Sequence, residues 1–148
     1  MDYIKIRFID EFEQVSSEFE KTVADMYRSI NPIFTLSERT WKPQMDIYET
    51  PEEVIILAEI AGVNKENLDV EISSKAVKIF GKRSESFRLG NATYRLAEIQ
   101  YGEFERILFL PALIDTEVVS ASYLNGFLQI RLAKLPLDKK LTIPIADG

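Results

Sequence analysis

The sequence predicts an all-β fold, an immunoglobulin-like antiparallel β-sandwich with an amphipathic helical arm before it and an extended tail after it. Apolar segments rich in β-branched residues recur at intervals of roughly 8–12 residues through the middle of the chain. No segment of helical periodicity lies between them, which opposes the alternating strand–helix pattern of parallel sheets. We therefore divide the 148 residues into an N-terminal helical arm over 1–40, a sandwich over 41–135 and a C-terminal extension over 136–148.

The segment LDVEIS, residues 68–73, has the clearest strand pattern. Its strict alternation predicts that Leu68, Val70 and Ile72 face one way, towards the core, while the acidic residues between them face the other. Four further segments are predicted strands: EVIILAEI (53–60), AVKIFG (76–81), RILFLP (106–111) and FLQIRL (127–132).

A tight hairpin is predicted at Asn125-Gly126, between SASYL and FLQIRL. A type I′ turn needs positive φ at both central residues, and Asn-Gly is the pair that adopts it most readily. By contrast, the segment 82–101 is too long for a tight hairpin. It is either a mobile loop or a projecting arm with its own short strand near Tyr94 to Leu96.

The N-terminal arm is predicted to be an amphipathic helix over 8–31, ending at Asn31-Pro32. Its apolar residues follow one another at intervals of three or four: Phe8, Phe12, Val15, Phe19, Val23, Met26 and Ile30. Such a stripe either packs on its own domain or serves association with other chains. The three phenylalanines on one face favour association with other chains.

The composition opposes several classes of function. The net charge of −6 opposes nucleic-acid binding, which needs a basic face. The chain has no histidine and no cysteine, so it lacks the commonest general base and the ordinary zinc ligands. Its glycines form no phosphate-binding loop or dinucleotide fingerprint, and carboxylates such as Glu103 and Glu105 fit a solvated strand face. We expect no catalytic residues, metal or cofactor.

The sequence also predicts a cytoplasmic protein with no membrane span. The first residues lack the uninterrupted apolar segment of a secretory signal, and no apolar run approaches the roughly 20 residues that cross a bilayer.

Several segments, in order, resemble the small heat-shock protein family and its shared sandwich, the α-crystallin domain. WKPQMDIYET (41–50) resembles the start of that domain, and EIAGVNKENLDVEI (59–72) resembles its next motif, with Ala61 where the family usually has proline. The family's Gly-x-Phe-x-Arg-x-x-x-Leu-Pro signature matches at Gly102, Phe104, Arg106, Leu110 and Pro111, and its Ala-x-x-x-Asn-Gly-x-Leu signature matches at Ala121, Asn125, Gly126 and Leu128. Ile143-Pro144-Ile145 resembles the family's C-terminal Ile-x-Ile anchor.

This resemblance implies an ATP-independent holdase chaperone, which binds partly unfolded proteins and prevents their aggregation under heat or other stress. It also implies dimers that exchange a strand from the 82–101 loop, with Tyr94 and Leu96 at the interface, and larger homo-oligomers built from these dimers. Arg106 is then expected to form an ion pair across the dimer. Its alternative is a surface arginine with a solvated head.

Ile143 and Ile145 are expected to seat in an apolar groove of another subunit. The alternation of the edge strands predicts that Leu68, Val70, Ile72, Ala121 and Tyr123 line this groove. Pro144 fixes an extended backbone and so lowers the entropy lost on docking. The alternative is that the tail docks on its own subunit or is frayed.

Two other functions are compatible with parts of the chain. A co-chaperone adaptor of the CS-domain type has a related sandwich and binds a folded partner, but that class lacks an Ile-x-Ile tail. A membrane-associating scaffold could use the N-terminal helix, although its many acids suit anionic lipid poorly.

Overall fold

The computed structural model describes residues 3–10, 40–85, 89–136 and 144–146. These residues form two four-stranded β-sheets packed face to face. In chain order the strands are β1 (Lys5–Phe8), β2 (Met45–Glu49), β3 (Glu53–Glu59), β4 (Leu68–Ile72), β5 (Ala76–Arg83), β6 (Gly102–Phe109), β7 (Ile114–Leu124) and β8 (Phe127–Lys134). The predicted all-β sandwich is confirmed.

The strand order is β1-β4-β5-β6 in the first sheet and β2-β3-β8-β7 in the second. Every pair is antiparallel except β1 with β4, which is parallel. A short 3-10 turn, Lys65–Asn67, leads into β4, and no α-helix occurs among the described residues.

The alternation predicted for β4 is confirmed, since Leu68, Val70 and Ile72 are buried and the residues between them are half-buried. The second sheet contributes matching apolar layers from β3 and β8. In their register Val54 lies opposite Leu132 and Ile56 lies opposite Ile130, and all four side chains are fully buried. The core is thus made by the inward faces of both sheets.

One end of the core is closed by two aromatic rings. The Trp41 and Phe104 ring centroids lie 5.2 Å apart with the ring planes tilted by 55°. The Trp41 indole N–H donates to the carbonyl of Gly102, so its polar atom is satisfied. Trp41 and Phe104 also form an isolated bridge that joins the approach to β2 with β6.

The predicted hairpin is present between β7 and β8. Asn125 and Gly126 have φ of 53° and 82°, as a type I′ turn requires.

The N-terminal helix prediction is not confirmed, and the first residues assigned to the helix are not helical. Phe8 ends strand β1, and Ile9 and Asp10 are not helical. The segment from Tyr3 alternates in polarity, and β4 offers it a partner, so backbone pairing prevails over the helical spacing that begins at Phe8. The remaining stripe residues lie outside the described residues, as does the predicted end at Asn31-Pro32.

The short strand that was one of the two alternatives for the 82–101 segment is not observed among its described residues. Residues 89–101 contain no strand, and Tyr94 to Leu96 form irregular backbone. A single chain offers this segment no β-partner there, and strands need one to satisfy their backbone groups.

Candidate assembly site: the groove between strands β4 and β7

Strands β4 and β7 lie on the same side of the sandwich, one in each sheet. At the start of β7 the backbone N–H of Ile114 donates to the carbonyl of Ser74, 3.1 Å away in the turn after β4. Towards the other end of β7 the Tyr123 hydroxyl donates to the carbonyl of Ile60 and accepts from the N–H of Val63 at 3.4 Å. Both ends of β7 are therefore tied to the segments that flank β4, and the predicted groove would lie between these two strands.

Three of the predicted groove residues lie on β4 and two lie on β7. Leu68, Val70 and Ile72 are fully buried, whereas Ala121 and Tyr123 are half-buried and pack against the same apolar cluster. The structure therefore brings the two sets together. Their role as the receptor of a neighbouring tail stays a prediction.

Strand β1 lies along β4, so β4 is not the edge of its sheet. Ile6 pairs with Val70, and both Ile4 and Ile6 pack against the buried core cluster, as Val119, Ala121 and Tyr123 also do. Sequence reasoning missed this strand. The signal was the alternation of Ile4, Ile6 and Phe8, which is short and overlaps the start of the helical stripe.

The C-terminal anchor is seen only in part. Pro144 and Ile145 are exposed, with Ile145 at 91%, while Ile143 lies outside the described residues. Ile145 therefore makes little contact with its own sandwich.

The residues predicted at the dimer interface have different surroundings. Tyr94 and Leu96 lie on the 89–101 loop with 51% and 74% of their surface exposed. Arg106 is half-buried on the core-facing side of β6, between Phe104 and Leu108, and its Nη1 donates to the carbonyl of Pro43 at 2.8 Å. It is not the surface arginine of the alternative interpretation, because its head group joins the edges of the two sheets.

Arg83 is a further positioning residue that the sequence did not indicate. Its guanidinium lies 4.1 Å from the Trp41 ring centroid and 5.6 Å from that of Tyr101. Nε donates to the carbonyl of Gln100 at 2.9 Å and Nη1 donates to that of Ala61 at 3.1 Å. These contacts hold the two ends of the long loop together. No local pattern marks Arg83, since its acceptors are backbone carbonyls of residues distant in sequence.

The matched signature residues serve the fold. Phe104 and Leu128 are fully buried, Leu110 packs against the core, and Pro111 is exposed just after β6. Gly102 begins β6 with φ of 92°, a value that side chains disfavour.

The acidic residues of β6 fit the prediction of a strand face in contact with solvent. Glu105 lies 3.9 Å from the Lys78 ammonium on β5, and Glu103 is exposed. Within the described residues, no group of three or more Asp, Glu, His or Cys side chains could hold a metal ion. The same part of the chain contains no helix long and apolar enough to cross a membrane.

Comparison with known proteins gives this fold a family. Residues 46–146 match the model of the Hsp20/alpha crystallin family, which is more than half of the chain. The chain belongs to that family. Its sandwich is an α-crystallin domain, and the prediction of a small heat-shock protein, a family of chaperones, is confirmed.

Relatives of this small heat-shock protein occur in bacteria. It is 34% identical over 104 residues to small heat shock protein C4 of Rickettsia felis, covering 70% of this chain and 64% of that protein. It is 32% identical over 106 residues to a probable 15 kDa heat shock protein of Leptospira interrogans, covering 71% of this chain and 80% of that protein.

Solved structures show the same architecture. A small heat-shock protein from Xylella fastidiosa, described as having a distinct high order structure, aligns with a TM-score of 0.61 at 25% identity, over 74% of this chain and 100% of that one. Heat shock protein 16.0 from Schizosaccharomyces pombe aligns with a TM-score of 0.60 at 27% identity, over 73% of this chain and 99% of that one.

Proposed function

We propose that this small heat-shock protein is an ATP-independent holdase, which binds partly unfolded proteins and prevents their aggregation. The match of residues 46–146 to a chaperone family carries the proposal, because it includes strands β3 to β8, nearly all of β2 and the Ile-Pro-Ile tail. The protein works as a dynamic homo-oligomer of dimers. The part of the predicted 1–40 arm that follows β1 and the extension over 136–148 join the domains to each other and to clients.

The client-binding surface is apolar and adaptable. A holdase needs apolar side chains that clients can reach, and the described residues expose several large ones on the long loop, namely Leu89, Tyr94, Leu96 and Ile99. The arm adds Phe12, Val15, Phe19, Val23, Met26 and Ile30, and methionine adapts to irregular surfaces. Burial of each phenylalanine or isoleucine contributes about 1.5–3 kcal/mol, so a few contacts give reversible binding.

Assembly uses two kinds of link. Exchange of a strand from the long loop, with Tyr94 and Leu96 at the interface, joins two chains into a dimer. Ile143 and Ile145 of one chain then seat in the groove between β4 and β7 of another. Burial of both isoleucines contributes about 3–6 kcal/mol before the cost of ordering, which is weak enough for heat to release. Many such links in one oligomer add avidity.

The holdase activity is tested by light scattering of a heated client protein with and without this chain, in the absence of ATP. The expected result is suppression of scattering that rises with the amount of chain added. Equal scattering in both samples would exclude the holdase function.

The anchor is tested by size-exclusion chromatography of the full chain carrying Ile143→Ser and Ile145→Ser. We expect elution as smaller species, because serine cannot fill an apolar groove. Leu124→Ser with Phe109→Ser is the matched control, since these side chains are 70% and 61% exposed and lie outside the proposed anchor. An unchanged elution volume for the tail variant would refute the anchor.

A further inference from the structure

Strand β1 presents two isoleucines to the core and two basic residues to the solvent. Ile6 lies opposite the buried Val70, and Ile4 is on the same face two residues earlier. Both are half-buried and pack against the apolar cluster. The segment Ile4-Lys5-Ile6 therefore lies beside β4 with its isoleucines on the core-facing side of the sheet.

Ion pairs hold the outer face of this strand. Lys5 Nζ lies 3.2 Å from Asp69 Oδ1 and also donates to the carbonyl of Glu66 at 2.8 Å. Arg7 Nη2 lies 3.3 Å from Glu71 Oε1. The two acids alternate with the buried residues of β4, so both ion pairs are compatible with the observed register of β1. These pairs are solvated, and salt weakens them.

The two ends of the chain carry the same short pattern. Ile4-Lys5-Ile6 and Ile143-Pro144-Ile145 each place two isoleucines on either side of one residue, and an extended backbone directs both isoleucines to one face. We propose that Ile4-Lys5-Ile6 is a second anchor, which fills the groove between β4 and β7 and excludes the C-terminal anchor from it. This inference rests on the proposed function, which assigns the tail to the same groove.

The backbone gives the N-terminal anchor an advantage over the tail. The N–H of Ile9 donates to the carbonyl of Ile72 at 2.9 Å, so by the two-residue period the N–H groups of Arg7 and Lys5 also face β4. In the same register Pro144 would take the place of Lys5, and proline has no N–H to donate. The tail would also lack the ion pair to Asp69.

The groove is therefore closed by the chain's own N-terminus. A tail from another copy binds only the fraction of molecules in which β1 has left β4, and its apparent affinity falls by that fraction. Release of β1 frees the groove and the arm that follows β1 at the same time. Assembly through the tail is in this way coupled to exposure of the arm.

The test measures how tightly a tail peptide binds when β1 is weakened. A fluorescent peptide of residues 139–148 is titrated with the full chain carrying Ile143→Ser and Ile145→Ser, so that the chain's own tail does not compete. Lys5→Glu with Arg7→Glu is then added to this background. Reversal of both ion pairs should lower the apparent Kd of the peptide about tenfold, and the difference should shrink in high salt.

Lys42→Glu with Lys82→Glu is the matched control, because it changes the net charge equally at exposed positions outside β1 and β4. In a second measurement an unlabelled peptide of residues 3–10 should displace the tail peptide from the Lys5→Glu, Arg7→Glu variant. Equal peptide affinity in the β1 variant and the background, or no displacement by the 3–10 peptide, would overturn the shared groove while leaving the anchor intact. Absence of tail binding in every variant would refute the anchor and this inference together, and the holdase activity would still be judged separately by light scattering.

Discussion

At the scale of single residues, an ion pair with two hydrogen bonds joins the two central strands of the second sheet. Arg131 on β8 donates from Nε and Nη2 to the two carboxylate oxygens of Glu53 on β3, at 2.9 and 2.7 Å. These hydrogen bonds hold the pKa of the Glu53 carboxyl below its ordinary value of 4.5, and the positive charge adds to the effect. Folding therefore favours the charged form of Glu53.

This shift predicts a pH-dependent contribution to stability. Since the folded-state pKa of Glu53 is depressed, the contribution is present above pH 4.5 and is lost as the pH falls through the folded-state value. We expect Glu53→Gln to lower the thermal unfolding midpoint at pH 7, and this difference from wild type should close in the acidic range. Glu59→Gln, an exposed glutamate at the end of the same strand, is the control and should show a smaller difference at pH 7. A Glu53→Gln difference that is constant with pH would contradict the assignment.

At the scale of elements, β5 passes so close to the segment before β4 that one position has no room for a side chain. A Cβ added at Gly81 would lie 2.0 Å from the carbonyl oxygen of Asn67 and 2.8 Å from the Phe104 ring. The backbone oxygen cannot give way as a flexible side chain can. Glycine at this position is therefore required by packing between β5 and its neighbours.

We predict that Gly81→Ala destabilises the sandwich by about 1–3 kcal/mol, as overpacking of a close contact does. Gly90→Ala is the matched control, because a Cβ there meets no atom within 4 Å and the expected change is within about 0.5 kcal/mol. Thermal unfolding at one fixed protein concentration measures both. Equal unfolding midpoints for Gly81→Ala and Gly90→Ala would contradict this prediction, because they would show that the backbone around Gly81 accommodates a Cβ without loss of stability.

The strands also differ in how well their sequences specify them. β4 and β8 have long alternations whose inward residues are fully buried, and their positions follow from periodicity alone. β6 was predicted to begin at Arg106 but begins at Gly102, because its early residues pair with the extended end of β5. β1 was not predicted, since a four-residue alternation is a weak signal until a partner strand is in place.

At the scale of the whole molecule, Arg106 connects the edges of the two sheets. Its hydrogen bond to the carbonyl of the buried Pro43 satisfies one donor of a guanidinium that carries five. The other donors can bind a carboxylate of another chain in the proposed dimer.

Arg106→Ala is predicted to disturb assembly more than folding. Loss of the bond leaves the Pro43 carbonyl unpaired, which costs about 1–3 kcal/mol, while loss of an interchain pair from one side costs about 3–5 kcal/mol. Size-exclusion chromatography should show smaller species, with a folded β-sheet signal retained in circular dichroism. Lys75→Ala, which removes an exposed cation in the turn between β4 and β5, is the control and should elute like the wild type. An Arg106→Ala profile identical to wild type would argue against an interchain role.

The sequence by itself determined the all-β class, most strands, the Asn125-Gly126 turn and the family, because these depend on local periodicity and on motifs with fixed spacing. The tertiary structure decided what lies beside β4. Strand pairing depends on backbone partners far apart in the chain, so only the folded molecule shows Ile6 opposite Val70 and both Ile4 and Ile6 packed against the core. The role of Arg83 could not be predicted for the same reason, because folding brings its hydrogen-bond acceptors close to it. The amino-acid sequence shows which segments are apolar. Which of these segments lies beside which strand is determined by packing in the folded molecule.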